Sequence, residues 1–349
     1  MEANNPVWQK YTKLNMLGSS QFGTAYKAKT KDGQIVTVKE YSKYQKDANE
    51  VHQNEIANIK LFNSDYTINC IDEMQTDEYF YIIRNYYWGT LEEFAKVHPK
   101  GIPPKEIQKI LLDLSNVFKL LNQKKYIHKD IKPSNILLSL DGKNGYKAIL
   151  SGIHLAINFS NKDSSLSSLR GMRYICPPEG LKGEDNNMKY DLWSVGVLIY
   201  YMIKGKYPFE GRRDAVVINQ IESGINLKIS DDAELNDLLE KTLEKDVNKR
   251  ISWEDFFKHP FLTKEFPGKK KKTIEKKANN EQKEIIEKII NDYKNVKSIN
   301  QGIRDYGNMI FTYGDKNKGK EFNEKYQKKL NNSFKTFDQI LTLNLITKQ

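Results

Sequence analysis

The chain has 349 residues and a formal net charge of +11, with 38% hydrophobic and 29% charged residues. This composition is typical of a soluble globular protein with more than one compact unit, and its two cysteines are too few for a disulfide framework. No run approaches the roughly 18 apolar residues of a membrane span and the N-terminus lacks the features of a signal peptide, so we predict a cytoplasmic protein without a transmembrane segment.

The N-terminal part of the chain contains two β-rich segments with a helical segment between them. The segments IVTVKEY and YFYIIRNYYW are rich in β-branched and aromatic residues and are bounded by turn residues, as strands of a sheet are. Residues 47–62 form the helical segment, whose apolar positions recur at helical spacing. These positions are Val51, Ile56, Ile59 and Phe62.

From Leu91 onward the pattern becomes mostly helical. Residues 103–123 open on two prolines and continue with apolar residues at helical spacing, which predicts a buried helix. Residues 134–152 contain two short strands around a glycine-containing turn. Residues 190–205 are almost wholly apolar, which predicts a helix buried on all sides. The lysine run at residues 269–272 marks the boundary between this body and a tail.

The segment LGSSQFGTAYKA begins at Leu17 and contains two spaced glycines. Gly18 and Gly23 stand where a hairpin brings its backbone close to phosphate oxygens. Taken alone the segment indicates only a turn, because the middle glycine of a phosphate-binding loop is replaced here by Ser20.

Two later motifs carry more information. Lys39 ends the strand that follows the glycines, and Glu55 lies on the next helix, where its carboxylate could pair with that lysine. The segment HKDIKPSN places a proton acceptor at Asp130, a cation at Lys132 and a metal-binding amide at Asn135 on one tight loop. Glu55 alone could be a solvated helix charge, but for Asp130 and Asn135 together a purely structural role is a poor alternative.

In order and spacing these motifs resemble those of the eukaryotic-type protein kinases, over roughly residues 11–262. GMRYICPPE resembles the segment that closes the activation loop, DLWSVG the helix start that supports the catalytic loop, and NKRISWEDFFKHPF a late C-lobe motif. The first and the third of these likenesses imply an ion pair between Glu179 and Arg250. A lysine two residues after the catalytic aspartate is typical of the serine/threonine branch.

The resemblance implies an α+β, bilobal protein-kinase-like fold. We expect a small β-rich N-lobe with one regulatory helix at residues 1–84, a larger helical C-lobe at residues 85–263, and a basic, mainly helical C-terminal extension at residues 264–349. Fold alone does not establish activity.

The resemblance also implies roles for the residues of the cleft between the lobes. Asp130 and Lys132 would be catalytic, and Asn135 would bind a metal ion. ATP would be the nucleotide, with the glycine-loop backbone covering its phosphates. The nucleotide-binding residues would be Leu17, Gly18, Gly23, Ala25, Lys39, Glu55 and Leu137.

The segment YKAILSGIHLAIN departs from the kinase pattern, which has an Asp-Phe-Gly triplet here. Ser151, Gly152 and Ile153 take those three positions. Because Mg²⁺ prefers anionic oxygen ligands and a serine hydroxyl is neutral, we predict weak or absent Mg²⁺ binding. His154 is a nearby candidate ligand, but imidazole suits softer metals, so we interpret it as a packed or solvent-facing side chain.

Two further residues depart from the pattern around the nucleotide. Thr37 narrows the roof over the adenine, where alanine is usual, and Arg84 stands at the back of the pocket, where an apolar side chain is expected. The sequence therefore predicts a regulatory or scaffolding pseudokinase, with ATP binding left open. The alternative is an active serine/threonine kinase that manages with Asn135 and another ligand or another metal.

The tail holds most of the net positive charge, with 20 Lys and Arg against 11 Asp and Glu from Thr263 onward. Apolar residues follow a helical stripe at residues 285–296 and again at 322–337, which predicts two helices with a face to bury. We predict a protein partner bound through this extension or through the C-lobe, with docking on the same chain as the alternative. Nucleic-acid binding is not favoured, and the oligomeric state is left open.

A polar loop lies between the altered triplet and Glu179. It carries five serines between residues 160 and 168. Phosphate groups on them would add negative charge that Lys129 could attract. A flexible polar loop without modification is the alternative.

Overall fold

A computed structural model of the chain describes residues 5–20, 22–141, 145–160, 171–183 and 187–266. Residues 1–142 and 146–266 belong to one compact unit. The two predicted tail helices and most of the serine-rich loop lie outside the described residues. The division at residues 84 and 263 stays a prediction.

The N-terminal half of this unit is a β-rich lobe. Its elements are α1 (Pro6–Lys10), β1 (Thr12–Ser20), β2 (Gly23–Lys29), β3 (Ile35–Ser42), α2 (Ala48–Leu61), β4 (Asp72–Gln75) and β5 (Tyr79–Asn85). The strands form one antiparallel sheet in the order β1-β2-β3-β5-β4. The predicted strands and the predicted helix are confirmed. The second strand ends at Asn85, three residues before its predicted end, because Trp88 turns away to donate its backbone N–H to Leu138.

Each face of this sheet is covered by a different element. Strand alternation sends Tyr41 and Ile82 toward α2, where Val51, Ile56 and Ile59 complete an apolar cluster. The opposite face is covered by α1 and packs around Val7, Tyr11, Val36, Val38, Tyr81 and Ile83. The central strands β3 and β5 are therefore covered on both faces, and the inner face of the sheet and α2 together position the cleft.

His52 on α2 is a buried histidine with few polar partners. Its ring stacks on Phe80 at a centroid distance of 4.6 Å, and its Nε2 lies 3.6 Å from a carboxylate oxygen of the half-exposed Glu73. Burial, together with the charges of Lys39 and Lys43, lowers the pKa of His52 to about 4. The imidazole is therefore neutral in the folded protein at pH 7.

The stability of the fold is expected to fall as the pH drops from 6.5 toward 4, in part because of His52. The unfolded chain binds a proton at this residue below about pH 6.5, whereas the folded chain does not, so the stabilisation present at neutral pH is lost over this interval. His52→Phe keeps the ring stack and removes the titrating group. Urea unfolding at pH 7.5 and pH 5 should show a smaller loss in this variant, and an equal loss would contradict the expectation.

The C-terminal half is a helical lobe with two small antiparallel sheets. Its helices are α3 (Leu91–Lys96), α4 (Pro104–Gln123), α5 (Pro178–Leu181), α6 (Tyr190–Lys204), α7 (Asp214–Ser223), α8 (Ala233–Thr242), α9 (Trp253–Phe257) and α10 (Pro260–Thr263). Its strands are β6 (Gly89–Thr90), β7 (Tyr126–Ile127), β8 (Ile136–Asp141), β9 (Gly145–Leu150) and β10 (Ile157–Asn158). The predicted helices α4 and α6 are confirmed, and α6 is buried along nearly its whole length. The α+β bilobal architecture is confirmed as well.

The predicted ion pair between Arg250 and Glu179 is present and buried. The guanidinium donates to both carboxylate oxygens of Glu179, at 2.6 and 2.9 Å, and its Nε donates to the carbonyl of Glu244 at 3.0 Å. It also lies 5.2 Å from the ring centroid of Trp193. Arg250 therefore ties the end of the activation segment to the core of the helical lobe.

No helix among the described residues is long and apolar enough to cross a membrane.

Candidate active site

Lys39 and Glu55 form the pair that the sequence suggested. Lys39 comes from β3 and Glu55 from the middle of α2, and the ammonium lies 2.7 Å from the carboxylate. The side chain of Glu55 is fully buried. Burial lowers the pKa of Lys39, and the charge of Glu55 acts in the opposite direction. The pair fixes a cation on the inner face of the sheet.

Helix α2 is tied to the segment that follows Ser151 by two asparagine side chains. The amide of Asn58 donates to the carbonyls of Ile153 and Ala156, at 2.8 and 2.9 Å. The amide of Asn54 donates to the carbonyls of His154 and Ala156, at 2.8 and 2.9 Å. These four bonds hold Glu55 in place beside Lys39. The sequence analysis did not identify either asparagine.

Asp130, Lys132 and Asn135 lie on one loop, as their spacing indicated. The carboxylate of Asp130 accepts from Lys132 Nζ at 2.9 Å and from Asn135 Nδ2 at 2.6 Å. Asp130 is only 2% exposed. Burial raises its pKa, while the charge of Lys132 and the hydrogen bonds oppose the rise. The arrangement suits a proton acceptor beside a cation, although the catalytic role stays a prediction.

The backbone of Gly171 covers Asp130. A Cβ atom at this position would clash with Asp130 Oδ1 and with the carbonyl of Lys129. Only glycine therefore permits this close approach. The backbone at Gly171 accordingly lies directly against the carboxylate of Asp130.

A second group of residues holds the backbone of the Asp130 loop through hydrogen bonds. Asp191, at the start of α6, accepts from the backbone N–H groups of His128 and Lys129, at 2.6 and 3.0 Å. His128 Nδ1 accepts from the N–H of Asp130 at 3.2 Å, so Nε2 carries the proton and donates to the carbonyl of Ser151 at 3.1 Å. Burial lowers the pKa of His128 to about 3 and raises the pKa of Asp191 to about 6. Sequence analysis missed His128, although it opens the motif.

The hydroxyl of Ser151 forms a hydrogen bond within the protein. The hydroxyl donates to the carbonyl of Asn135 at 2.9 Å, and the backbone N–H of Ser151 donates to the same oxygen at 2.8 Å. Gly152 follows with a φ of 79°, and a Cβ there would clash with the amide of Asn135. The altered triplet therefore packs tightly against Asn135, the residue predicted to bind a metal ion.

The donor atoms around Ser151 do not fit a magnesium ion. Mg²⁺ requires near-octahedral oxygen ligands, usually including carboxylates. The amide nitrogen of Asn135 is bonded to Asp130, whose oxygens are shared with Lys132. Within the described ranges there is no group of three or more His, Cys, Asp and Glu residues that could hold a metal.

The strand register aligns the glycine segment with Lys39 across the sheet. Gly18 on β1 is opposite Ala25 on β2, and Ala25 is opposite Lys39 on β3. Gly23 has a φ of 151°, and a Cβ atom there would clash with the backbone of Glu40. These residues line up as the nucleotide-binding prediction requires, and their roles stay predictions.

Leu17 and Leu137 differ in their surroundings. Leu17 is 41% exposed, so its apolar side chain is open to solvent. Leu137, from β8, packs against the apolar cluster of the sheet's inner face, as does Tyr87, which follows β5. The nucleotide-binding roles of both leucines stay predictions.

Phe22, at the tip of the glycine segment, contacts His154. Their ring centroids are 4.8 Å apart. His154 is only 5% exposed, and neither of its ring nitrogens has a hydrogen-bond partner in the described part of the chain. Burial lowers the pKa of His154 well below its ordinary value. Of the two interpretations of His154, the packed one is confirmed.

Arg84 lies beside the Lys39–Glu55 pair. It stands opposite Thr37 in the β3–β5 ladder, two pairs along from Lys39 and therefore on the same face of the sheet, and Thr37 is 3% exposed. The Nε of Arg84 is buried without a hydrogen-bond partner among the residues that the structure describes. Its charge acts on Lys39, Glu55 and His154, so the guanidinium belongs to the same polar cluster.

A β-rich lobe that carries a lysine–glutamate pair, together with a helical lobe that carries an aspartate-bearing loop, defines a protein-kinase fold. Comparison with known families agrees, because the model for the protein kinase domain matches residues 11–262. The chain belongs to the eukaryotic-type protein kinase family, on its serine/threonine side.

Several curated serine/threonine kinases are similar to the chain. Serine/threonine-protein kinase ULK3 of Xenopus laevis is 30% identical over 74% of this chain and 56% of its own length. Serine/threonine-protein kinase par-4 of Caenorhabditis briggsae is 32% identical over 54% of this chain and 30% of its own. Serine/threonine-protein kinase 36 of Pongo abelii is 28% identical over 73% of this chain and 19% of its own length. The chain thus spans about half or less of the relatives it matches, and family membership implies ATP and Mg²⁺ in general terms.

Proposed function

We propose that the chain is a pseudokinase, a kinase-fold protein that acts as a regulatory or scaffolding module. One observation carries this proposal: the hydroxyl at position 151 is bonded to the carbonyl of Asn135, where a kinase needs a carboxylate aimed at a metal ion. Weak or absent Mg²⁺ binding follows from this donor set. Removing one preorganised electrostatic element costs about 10²- to 10³-fold in rate.

The remaining cleft residues favour continued nucleotide binding. Lys39, held by Glu55, would contact phosphate groups, and the backbone between Gly18 and Gly23 would cover them. ATP is the nucleotide that the family implies. Leu137 would lie under the base.

An active serine/threonine kinase is the second candidate. It is favoured by the intact arrangement of Asp130, Lys132 and Asn135. In such an enzyme Asp130 would accept the proton of a Ser or Thr hydroxyl, and Lys132 would stabilise the transferred phosphoryl group. The backbone of Gly171 would have to move away from Asp130 first.

We also propose that the output of the protein is an interaction with a partner protein. The basic extension from residue 264 onward, with its two apolar helical stripes, and the C-lobe are the candidate surfaces. A cytoplasmic location is the prediction that goes with this role.

Phosphate transfer by the wild-type chain is expected to stay at background and to be unaffected by Asp130→Asn. The reason is that position 151 offers a neutral serine hydroxyl, while the described carboxylates of the cleft, Asp130 and Glu55, are bonded to Lys132 and to Lys39. Both proteins are assayed with radiolabelled ATP, with Mg²⁺ and with Mn²⁺, for autophosphorylation and for transfer to Ser- and Thr-containing peptides. An active kinase of the same family serves as the positive control. Transfer that Asp130→Asn abolishes would establish the second candidate instead.

A further inference from the structure

The cleft contains more positively charged than negatively charged side chains. Lys39 is bonded to Glu55, and Lys132 is bonded to Asp130. Arg84 adds a further positive charge to the same cluster, and its Nε has no hydrogen-bond acceptor within the described ranges. Counting these five side chains, the cleft carries one excess positive charge, and that charge is on Arg84.

A buried guanidinium nitrogen without an acceptor is unfavourable. Arginine keeps its charge under all ordinary conditions and has five N–H groups to satisfy, and an unmet buried donor costs free energy. Glu55 Oε1 is also buried without a partner among the described residues, but Glu55 already balances Lys39. The arrangement therefore calls for an additional anion.

The position of Arg84 favours a phosphate group as this anion. Arg84 lies on the face of the sheet that carries Lys39, two residue pairs along the β3–β5 ladder, and its charge acts on Lys39 and His154. Lys39 is in register with the glycine segment across the sheet, and His154 contacts Phe22 at the tip of that segment. A group held there would contact the backbone that suits phosphate oxygens.

The same cleft lacks ligands for the cation that usually accompanies a triphosphate. Ser151 contributes no charge, and its hydroxyl is bonded to Asn135. A metal-free triphosphate is more negative than its magnesium complex and therefore gains more from an extra positive charge. Arg84 supplies such a charge. Because it is part of the chain, it does not require the carboxylate ligands that a metal ion would.

We propose that this cleft binds a nucleoside triphosphate in its metal-free form, with Arg84 contributing positive charge at the phosphates. The inference rests on the proposed function, because it assigns a ligand form to the same cleft. Under this proposal, Arg84 is the residue that makes the cleft prefer the metal-free triphosphate over its less negative magnesium complex.

The test is equilibrium binding of ATP, ADP and adenosine to the full chain, in EDTA and in Mg²⁺. For wild type, affinity in EDTA should rise from adenosine to ATP, and Mg²⁺ should leave ATP affinity unchanged or lower it. Arg84→Met should weaken ATP binding in EDTA by about 10- to 100-fold, the range of one charge-assisted hydrogen bond, and leave adenosine binding nearly unchanged. Arg84→Lys is the matched control that keeps the charge and should retain part of the ATP affinity.

Three results would overturn the inference. The first is ATP binding by wild type only with Mg²⁺, the second is no nucleotide binding at all, and the third is tighter nucleotide binding by Arg84→Met, which would make the arginine an obstruction. Thermal unfolding of each variant checks that it is folded. Phosphate transfer is measured in parallel: Mg²⁺-dependent binding without transfer removes this inference alone, whereas Mg²⁺-dependent binding with Asp130-dependent transfer removes the proposed function too.

Discussion

Replacing Ser151 by aspartate is expected to make nucleotide binding depend on Mg²⁺. The new carboxylate adds a charged oxygen donor near Asn135, and such donors are what Mg²⁺ prefers. In EDTA the added negative charge opposes the phosphates and weakens ATP binding, while Mg²⁺ reverses the effect. We expect ATP affinity to be at least about 10-fold higher in Mg²⁺ than in EDTA, a change well within the range of a single preorganised charge.

The local geometry gives the reason for this expectation. The Ser151 hydroxyl donates to the carbonyl of Asn135, but a carboxylate has no hydrogen to donate and is repelled by that oxygen. The aspartate side chain is therefore expected to turn into the cleft, toward the cations. There it meets Lys39 and Arg84 when no metal is bound.

Titration calorimetry with ATP, with and without Mg²⁺, measures the effect. Ser151→Asn is the matched control, since it has the size of aspartate without the charge, and it should bind ATP equally in both conditions. If the aspartate and asparagine variants respond to Mg²⁺ alike, charge at position 151 does not control metal binding in this cleft.

Replacing Arg250 by alanine is expected to lower the free energy of unfolding by about 3–5 kcal/mol, the cost of breaking a buried ion pair by removing one partner. Glu179 would keep its charge in a site where it is 9% exposed, and the carbonyl of Glu244 would lose its donor. The packing of the guanidinium against Trp193 would be lost as well.

Urea unfolding of the wild type and the variant measures this difference. Lys249→Ala is the matched control, because the neighbouring lysine is 76% exposed and should change stability by no more than about 0.5 kcal/mol. A double variant with methionine at both 179 and 250 should be more stable than Arg250→Ala, since no unpaired charge is left. Equal losses for Arg250→Ala and Lys249→Ala would show that the pair contributes little.

The residues that sequence could locate are those whose partners follow from a fixed spacing or a strong periodic pattern. Lys39 and Glu55 sit on a strand and on the next helix, and both elements are marked by apolar residues, so their meeting at 2.7 Å could be expected. Asp130 and Asn135 share one short loop. The pair of Arg250 and Glu179 spans 71 positions, and only the family resemblance indicated it.

The residues that sequence could not locate act through backbone atoms far along the chain. Asn54 and Asn58 read as polar positions of an ordinary helix, and their acceptors are carbonyls about a hundred residues away. A carbonyl group is present at every residue, so no pattern marks it as a partner. The contact of Gly171 with Asp130 could not be predicted either, because a glycine in a polar segment normally indicates only a turn.

The four hydrogen bonds from Asn54 and Asn58 on α2 have a consequence for the movement of this helix. Their acceptors are main-chain carbonyls, so substitutions along the 153–156 segment do not remove them. Any displacement of α2 away from that segment would therefore have to break all four bonds together.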